Sequence, residues 1–392
     1  MRNLTLTLFL LSFILVDTFG QSENTYRTRI GSGHTNQQCN SATLGVDGYI
    51  YIAGSNDNNS FGETSFHLMK VNQSGDSLWT KNWGVVNISD YIKTVIETND
   101  NCLLVLGKII SSRPNNSSYD IYVSKNKKEN GEIIWFKTFG GTNHEIPESI
   151  ISTSDKGFII LATVRTSNGD QSILIKINSD GQQVWTKSLS LLGNIKGSKL
   201  LSLKDEGFIF VGAITQFEGG DTDIIFIKFD ENGNQVFYKT FGEEYNEKPL
   251  DICSTSDNSF IISGKVSSLN PYDFSYYAFF LKIDSNGEQI WYQSWTKIEG
   301  NSIIQTSDGN IVVGCSFKDK GNYSAGALKI KNEDGTPIWD IFVGQENWDS
   351  NIAEILELPD KSLVLIGETR TDFYDILICR INSNGTWSLE SE

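Results

Sequence analysis

The sequence predicts an all-β protein, a seven-bladed β-propeller of four-stranded blades, because one unit of about 52 residues recurs along the chain. In six copies, an aromatic residue follows a turn glycine by four residues. The glycines are Gly75, Gly131, Gly181, Gly233, Gly287 and Gly335, and the aromatic residues are Trp79, Trp135, Trp185, Phe237, Trp291 and Trp339. A seventh copy near the end of the chain has Gly385 and Trp387, where the spacing shrinks to two residues.

Each unit contains four short apolar runs separated by turn residues. In the third copy these runs are "ESIISTSD", "GFIILATV", "QSILIKINSD" and "QQVWTKSL", all rich in β-branched residues. Asp-Gly and Asn-Gly pairs between the runs favour tight hairpins. The predicted blades cover about residues 34–84, 85–140, 141–190, 191–242, 243–295, 296–344 and 345–392, in a single domain spanning 21–392.

The first residues after position 20 look like an extra copy of a fourth strand. The segment "TYRTRIG" matches "IWFKTFG", since Tyr26 stands five residues before Gly31 as Trp135 stands before Gly140. The last blade has only the shortened "NGTWSLESE" in this place. We therefore predict that residues 24–31 close the ring by pairing with the third strand of the last blade, around Ile376 to Ile381.

The repeated phrase D-x-N-G-x-x-x-W-x-K-T-F-G-G, clearest in residues 145–190 and 298–344, resembles the β-propeller repeats of exported bacterial proteins that are common in Bacteroidota. The likeness extends over nearly all of the chain after residue 20. It implies the same propeller fold and an exported protein, and it does not specify a ligand.

Residues 1–20 have the organisation of a cleaved secretory signal. Arg2 precedes an apolar run from Leu4 to Val16, and the small residues Thr18 and Gly20 stand before a plausible cleavage point. We expect an extracellular or periplasmic protein. No later apolar segment has the length of a membrane span, so we expect no membrane insertion.

The composition favours a globular chain and argues against nucleic acid as a partner. Hydrophobic residues make up 39% and charged residues 20%, which supplies a core. The formal net charge of −16 repels phosphate backbones, and the sequence has no run of Lys or Arg that reverses this locally.

Five cysteines are present, and no two of them form a C-x-x-C pair. We expect buried free thiols that act as small apolar residues. One bridge between neighbouring blades is the alternative, because an odd number cannot pair completely. The residues are Cys39, Cys102, Cys253, Cys315 and Cys379.

The sequence contains no signature of a catalytic or metal site. His34, His67 and His144 are far apart, and neither H-E-x-x-H nor G-x-S-x-G occurs. The segment 230–234, "DENGN", begins like a calcium loop but lacks the later Gly and Glu, so we interpret it as a hairpin. The repeated tryptophan resembles the docking motif of quinoprotein dehydrogenases, although we expect it to pack between blades. We predict no catalytic residue, no cofactor and no metal, and carboxylate pairs suited to glycoside cleavage remain open.

A basic residue recurs at one position of the predicted third strand. Either these residues form a cationic ring for an anionic ligand, or their stems lie on apolar surface with the charge in water or paired to an acid. The second interpretation is favoured because the residue is present in every unit. The residues are Lys70, Lys125, Lys176, Lys228, Lys282, Lys329 and Arg380.

The loops between second and third strands, and those between blades, differ from copy to copy, and divergent loops on a rigid scaffold commonly carry recognition. They contain aromatic residues beside carboxylates and amides, a combination that stacks on sugar rings and hydrogen-bonds hydroxyl groups. The candidate ligand-binding residues are Tyr245, Tyr272, Tyr276, Tyr323, Trp348, Asp349 and Tyr374.

We therefore expect a non-catalytic binding or interaction module, a monomeric ring that takes a glycan or a protein at the face carrying these loops. One alternative is a cell-envelope enzyme, either glycoside-active or quinoprotein-like. Another is a purely structural subunit of a surface assembly, which would show a broad apolar patch on one side of the ring.

Overall fold

The computed structural model describes residues 25–31, 36–57, 64–84, 90–111, 118–167, 169–189, 194–204, 207–215, 220–242, 245–267, 276–319, 322–344, 349–370 and 373–386. Every regular element in these ranges is a β-strand. The predicted signal segment lies outside the described residues. The described part of the chain contains no helix with the length and hydropathy that a membrane crossing requires.

The strands form seven antiparallel sheets of four strands, which confirms the predicted propeller. Blade 1 contains β2 (Asn36–Leu44), β3 (Ile50–Asp57), β4 (Thr64–Val71) and β5 (Ser77–Trp83). Blade 2 contains β6 (Tyr91–Glu97), β7 (Cys102–Ile110), β8 (Tyr119–Lys127) and β9 (Ile133–Phe139). Blade 3 contains β10 (His144–Ser152), β11 (Phe158–Thr166), β12 (Gly169–Ile177) and β13 (Gln183–Ser188). Blade 4 contains β14 (Asn194–Ser202), β15 (Phe208–Thr215), β16 (Asp223–Phe229) and β17 (Gln235–Phe241).

The remaining blades follow the same plan. Blade 5 contains β18 (Asn246–Ser254), β19 (Phe260–Ser267), β20 (Tyr276–Ile283) and β21 (Gln289–Thr296). Blade 6 contains β22 (Ile298–Gln305), β23 (Ile311–Asp319), β24 (Asn322–Ile330) and β25 (Pro337–Phe342). Blade 7 contains β26 (Asp349–Glu357), β27 (Leu363–Arg370), β28 (Tyr374–Ile381) and, from the other end of the chain, β1 (Tyr26–Ile30).

Pairing of β1 with β28 closes the ring, as the sequence predicts. The two strands run antiparallel, with Tyr26 opposite Arg380 and Ile30 opposite Ile376. The first strands of the blades contact one another in the closed order β2, β6, β10, β14, β18, β22, β26 and back to β2, so they line the central channel.

The core consists of seven apolar clusters, each between two neighbouring blades. Second and third strands are therefore covered on both faces and have nearly continuous apolar runs, such as "FIFVG" at 208–212. The fourth strands form the rim, and several of them, such as β5, β9 and β17, expose most of their side chains. The ring is therefore rigid, because each blade completes the apolar core of the next blade.

Because the strands alternate in direction, the connections fall on two faces. The turn face carries the short hairpins between first and second strands and between third and fourth strands. The loop face carries the connections between second and third strands and those between blades. Those predicted ligand-binding residues that the structure describes lie in the loop-face connections or within two residues of them along the chain.

Six of the seven recurring cations of the third strands are paired within their own blades, which supports the structural interpretation. Each of the six lies beside the aspartate of the hairpin that joins the first and second strands on the turn face. For example, Lys176 Nζ lies 2.7 Å from Asp155 Oδ1, and the lysine side chain is only 6% exposed. In blade 4, the aspartate of this hairpin, Asp205, lies outside the described residues. The other described pairs are Lys70–Asp47, Lys125–Asp100, Lys282–Asp257, Lys329–Asp308 and Arg380–Asp360.

Candidate functional site

Each first strand contains a one-residue register shift close to its middle, the mark of a β-bulge. A bulge leaves one residue of the innermost strand unpaired in the ladder. The side chain of that residue therefore points in a different direction from that of a paired residue. The residues skipped in the pairing differ chemically from blade to blade, in contrast to the repeated turns. They are Asn40, Lys93, Glu148, Ser198, Leu250, Asn301 and Ala353.

The residue after each bulge helps to join neighbouring blades inside the channel. Ser149 Oγ accepts a hydrogen bond from the Leu200 amide at 3.1 Å. Ser302 Oγ accepts one from the Ile355 amide at 3.3 Å and donates to Glu354 Oε1 at 2.8 Å. Lys199 occupies the same position in blade 4, and its Nζ lies 3.0 Å from Asp251 Oδ1 of blade 5. These contacts hold the channel wall in place.

A cavity of about 540 Å³ opens at the channel mouth on the loop face, across the inner ends of blades 6, 7 and 1. We call it the mouth groove. Its lining combines two aromatic rings with carboxylates, amides and serine hydroxyl groups. The residues that define it are Tyr323, Tyr374, Glu299, Asp349, Glu368, Asn40, Asn301, Asn351 and Ser316.

The two tyrosines of the mouth groove occupy the same repeat position in consecutive blades, at the start of the third strand. The Tyr323 amide donates to Asp349 Oδ1 at 3.0 Å, and the Tyr374 amide donates to Asn36 Oδ1 at 3.0 Å. In both cases the acceptor belongs to the next blade. The backbone that carries each ring is therefore fixed before any ligand arrives, which favours binding.

The polar groups of the groove are held by their neighbours. Asn351 Nδ2 donates to Glu368 Oε1 at 2.9 Å, and Asn301 Nδ2 donates to Ser316 Oγ at 3.0 Å. Burial raises the pKa of Glu368, and the hydrogen bond from Asn351 opposes that shift. The groove thus offers a carboxyl group whose proton is held more tightly than usual.

The structure brings three of the seven predicted ligand-binding residues together, namely Tyr323, Asp349 and Tyr374. Tyr245 is 45% exposed on the loop face but does not line the groove. Tyr276 begins β20 at the same repeat position as the two groove tyrosines, although its side chain lies outside the described residues. Tyr272 and Trp348 also lie outside them.

Sequence reasoning missed several groove residues, including Glu299, Glu368 and Asn301. They lie on the first and second strands of their blades, whereas we predicted ligand-binding residues in the loops. The available signal was the variation of these inner positions between copies, since a scaffold alone does not require it.

A second cavity, of about 590 Å³, lies on the turn face against blades 2, 3 and 4. Its lining includes Lys176 and Asp155, the ion pair that recurs in other blades. A feature shared by most blades is explained by the scaffold. The mouth groove contains Glu299 and Glu368, and the equivalent positions of the other blades carry different residues, so it is the stronger candidate.

The two histidines within the described residues have structural positions. His67 is 1% exposed, and its Nδ1 lies 2.7 Å from Asn82 Oδ1. His144 Nδ1 accepts the Tyr119 amide at 3.2 Å, a blade-to-blade contact like that of Asp349. His34 lies outside the described residues. Within the described ranges, no group of three or more His, Cys, Asp or Glu side chains is placed to hold a metal ion.

No protein-family model and no curated protein matches the sequence. Solved structures do match. An ulvan lyase of a new polysaccharide lyase family, bound to -[GlcA(1-4)Rha3S]-, aligns with a TM-score of 0.59 at 11% identity, over 91% of this chain and 97% of that one.

Two further structures align similarly. Polysaccharide lyase Uly1 gives a TM-score of 0.56 at 10% identity, over 88% of this chain and 90% of that one. A catalytically inactive virginiamycin B lyase from Staphylococcus aureus, with quinupristin, gives 0.55 at 10% identity, over 91% and 99%. At such low identity these similarities establish the fold that this chain shares with them.

Proposed function

We propose that this protein is an exported, glycan-binding β-propeller whose site is the mouth groove. The observation that carries the proposal is the convergence of Tyr323 and Tyr374 with carboxylates and amides in one cavity of about 540 Å³. Export is supported by the signal-like segment at residues 1–20.

The chemistry of the groove suits a sugar in two ways. A tyrosine ring presents an apolar face to the C–H groups of a pyranose, and Asp349, Glu299 and the amides supply acceptors and donors for hydroxyl groups. The volume lies within the range of pockets that hold small ligands. A groove that is open on the loop face also admits a chain longer than the part that it contacts.

The test is a broad glycan array probed with residues 21–392. A Tyr374→Ala variant removes one groove ring and keeps the amide that donates to Asn36. A Tyr238→Ala variant, which changes a ring that is 48% exposed on the outer strand β17, is the matched control.

We expect saturable binding of a defined glycan set by the wild type and the control, and loss of that binding in Tyr374→Ala. Equal binding by all three proteins would contradict the site. Silence across the array, combined with capture of a single protein from envelope extract that depends on Tyr374, would contradict the glycan proposal in favour of a protein ligand.

A second candidate is a glycoside-active enzyme, favoured by one observation. Burial raises the pKa of Glu368, which lines the same groove as Glu299 and Asp349, and glycoside cleavage commonly uses two carboxyl groups of which one has a raised pKa. Release of new reducing ends from a bound glycan, abolished in Glu368→Gln, would support it. Prolonged incubation without release would support binding alone.

A further inference from the structure

At the channel mouth on the loop face, beside the mouth groove, one lysine lies within electrostatic reach of three others. We call Lys93, Lys196, Lys248 and Lys265 the mouth lysines. Lys196 and Lys248 occupy the same position in blades 4 and 5, each directly before the residue at which the register shifts. Lys265 lies directly opposite Lys248 in the pairing of β19 with β18, and Lys93 is the bulge residue of β6.

This arrangement is unfavourable for the protein alone. Like charges directly opposite each other on one face of a sheet destabilise it. Burial, together with the positive charges of Lys265 and Lys196, lowers the pKa of Lys248, against the opposing effect of Glu148. The Lys248 side chain is exposed to solvent, as expected at the rim of a channel.

The carboxylates nearby neutralise only two of the four mouth lysines. Lys93 Nζ lies 3.2 Å from Glu148 Oε2, and Lys265 Nζ lies 3.6 Å from Glu299 Oε1. No ion pair with another described residue is formed by Lys196 or Lys248. Lys108 and Arg165 add positive charge near Lys93. Deeper in the channel, Asp251 already balances Lys199.

The mouth lysines adjoin the mouth groove through one shared residue. Glu299 lines the groove and is also the ion-pair partner of Lys265. A ligand that lies in the groove and extends toward blade 5 therefore reaches Lys248 and Lys265. The chain has a formal net charge of −16. A cluster of lysines at the channel mouth therefore gives this region a charge opposite in sign to that of the protein as a whole.

We propose that the mouth lysines bind an acidic group, a carboxylate or a sulfate, of the glycan held in the mouth groove. The inference rests on the proposed function, and it specifies the ligand class as an acidic saccharide. An anion between Lys196, Lys248 and Lys265 replaces repulsion by charge-assisted hydrogen bonds, which are stronger than neutral ones.

The first experiment is calorimetric titration of residues 21–392 with free glucuronate, sulfate, phosphate and glucose at constant ionic strength. The variant is Lys248→Gln, and the control is Lys331→Gln, which removes an exposed lysine from the turn between β24 and β25. We expect glucuronate and sulfate to bind, glucose to bind far more weakly, and Lys248→Gln to lower the affinity for both anions by about tenfold.

Unchanged anion binding in Lys248→Gln would overturn the site. Tight binding of phosphate without any of glucuronate or sulfate would overturn the acidic-saccharide class. Thermal unfolding gives an independent readout: removal of one repelling charge should raise the midpoint of Lys248→Gln in the absence of anion, and a lowered midpoint would contradict the electrostatic account.

The second experiment separates this inference from the proposed function. A glycan selected on the array is compared with its carboxyl-reduced or desulfated form, using the wild type, Lys248→Gln and Tyr374→Ala. We expect the wild type to prefer the acidic form, Lys248→Gln to lose the preference while it retains the neutral form, and Tyr374→Ala to lose both. Glycan binding without any preference for the acid would overturn the inference and leave the glycan-binding function intact.

Discussion

Gly131 of blade 2 lies directly against the indole of Trp79 in blade 1. A β-carbon at Gly131 would stand 2.8 Å from Cζ3 of that ring, and Gly131 itself has a φ of +73°. Trp79 Nε1 also donates to the carbonyl oxygen of Lys128 at 3.2 Å. The repeated glycine and aromatic residue therefore form the joint between blades, as the sequence predicts. The same contact recurs at Trp135–Gly181, Trp185–Gly233, Phe237–Gly287, Trp291–Gly335 and Trp339–Gly385.

Substitution of this glycine tests the joint. Gly131→Ala should destabilise the protein by about 3 kcal/mol, since it combines left-handed backbone strain with overpacking against the ring. Gly309→Ala is the matched control, because Gly309 has a φ of +84° but no described neighbour within 4 Å of the place that a β-carbon would occupy. It should cost only about 1 kcal/mol. Equal losses in denaturant unfolding would show that the contact with Trp79 adds nothing.

Ring closure depends on Tyr26, which takes the place of the blade tryptophan in blade 7. Its ring lies against Gly75, where a β-carbon would stand 2.7 Å from Cε2. Tyr26→Ala should lower the free energy of unfolding by about 3 kcal/mol, because it removes a large side chain from the last joint. A chain without residues 25–31 should lose more stability and still unfold in a single step. An unchanged unfolding midpoint for either protein would refute closure by β1.

Acid should weaken the ring through the turn-face ion pairs. Burial alone would raise the pKa of Asp155. Hydrogen bonds from Lys176, Thr153 and the Gly157 amide outweigh this effect and lower the pKa from 3.8 to about 2. The stabilisation is therefore complete above pH 3.8 and is lost as the pH falls toward about 2. Asp155→Asn should flatten the pH dependence of the unfolding midpoint in that window. Asp180→Asn, at an exposed turn position, should leave the curve unchanged, and identical curves for both variants would contradict this assignment.

Four of the five cysteines should be unreactive in the folded protein. All five are free thiols, and burial raises the pKa of Cys39, Cys253, Cys315 and Cys379. We expect slow labelling of these four thiols by a thiol-specific disulfide reagent at pH 8, faster labelling of the partly exposed Cys102, and five reactive thiols in guanidinium chloride without reductant. Only three thiols in the denatured protein would establish the alternative of one bridge between blades.

The sequence repeat allowed the scaffold to be predicted, but it did not reveal most residues of the mouth groove. Trp79, Gly131 and Tyr26 could be assigned because each belongs to a phrase that recurs at a fixed spacing. Tyr323, Asp349 and Tyr374 were recognised because they lie at strand ends beside the divergent loops. Glu299, Glu368 and Lys248 lie inside strands, where the alternation of inward and outward side chains is equally compatible with a purely structural role. Only the closure of the ring places these residues near one another. The local lysine cluster was missed because its members come from three blades.

The most direct test of a glycan site in the mouth groove is the dissociation constant of an array-selected glycan for the wild type and for Tyr323→Ala/Tyr374→Ala. The matched double variant Tyr323→Phe/Tyr374→Phe keeps both rings and removes only the hydroxyl groups. We predict at least about tenfold weaker binding by the alanine variant, with the phenylalanine variant close to the wild type, because the ring faces carry the contact. Equal affinity of the alanine variant and the wild type, at equal stability, would contradict the account.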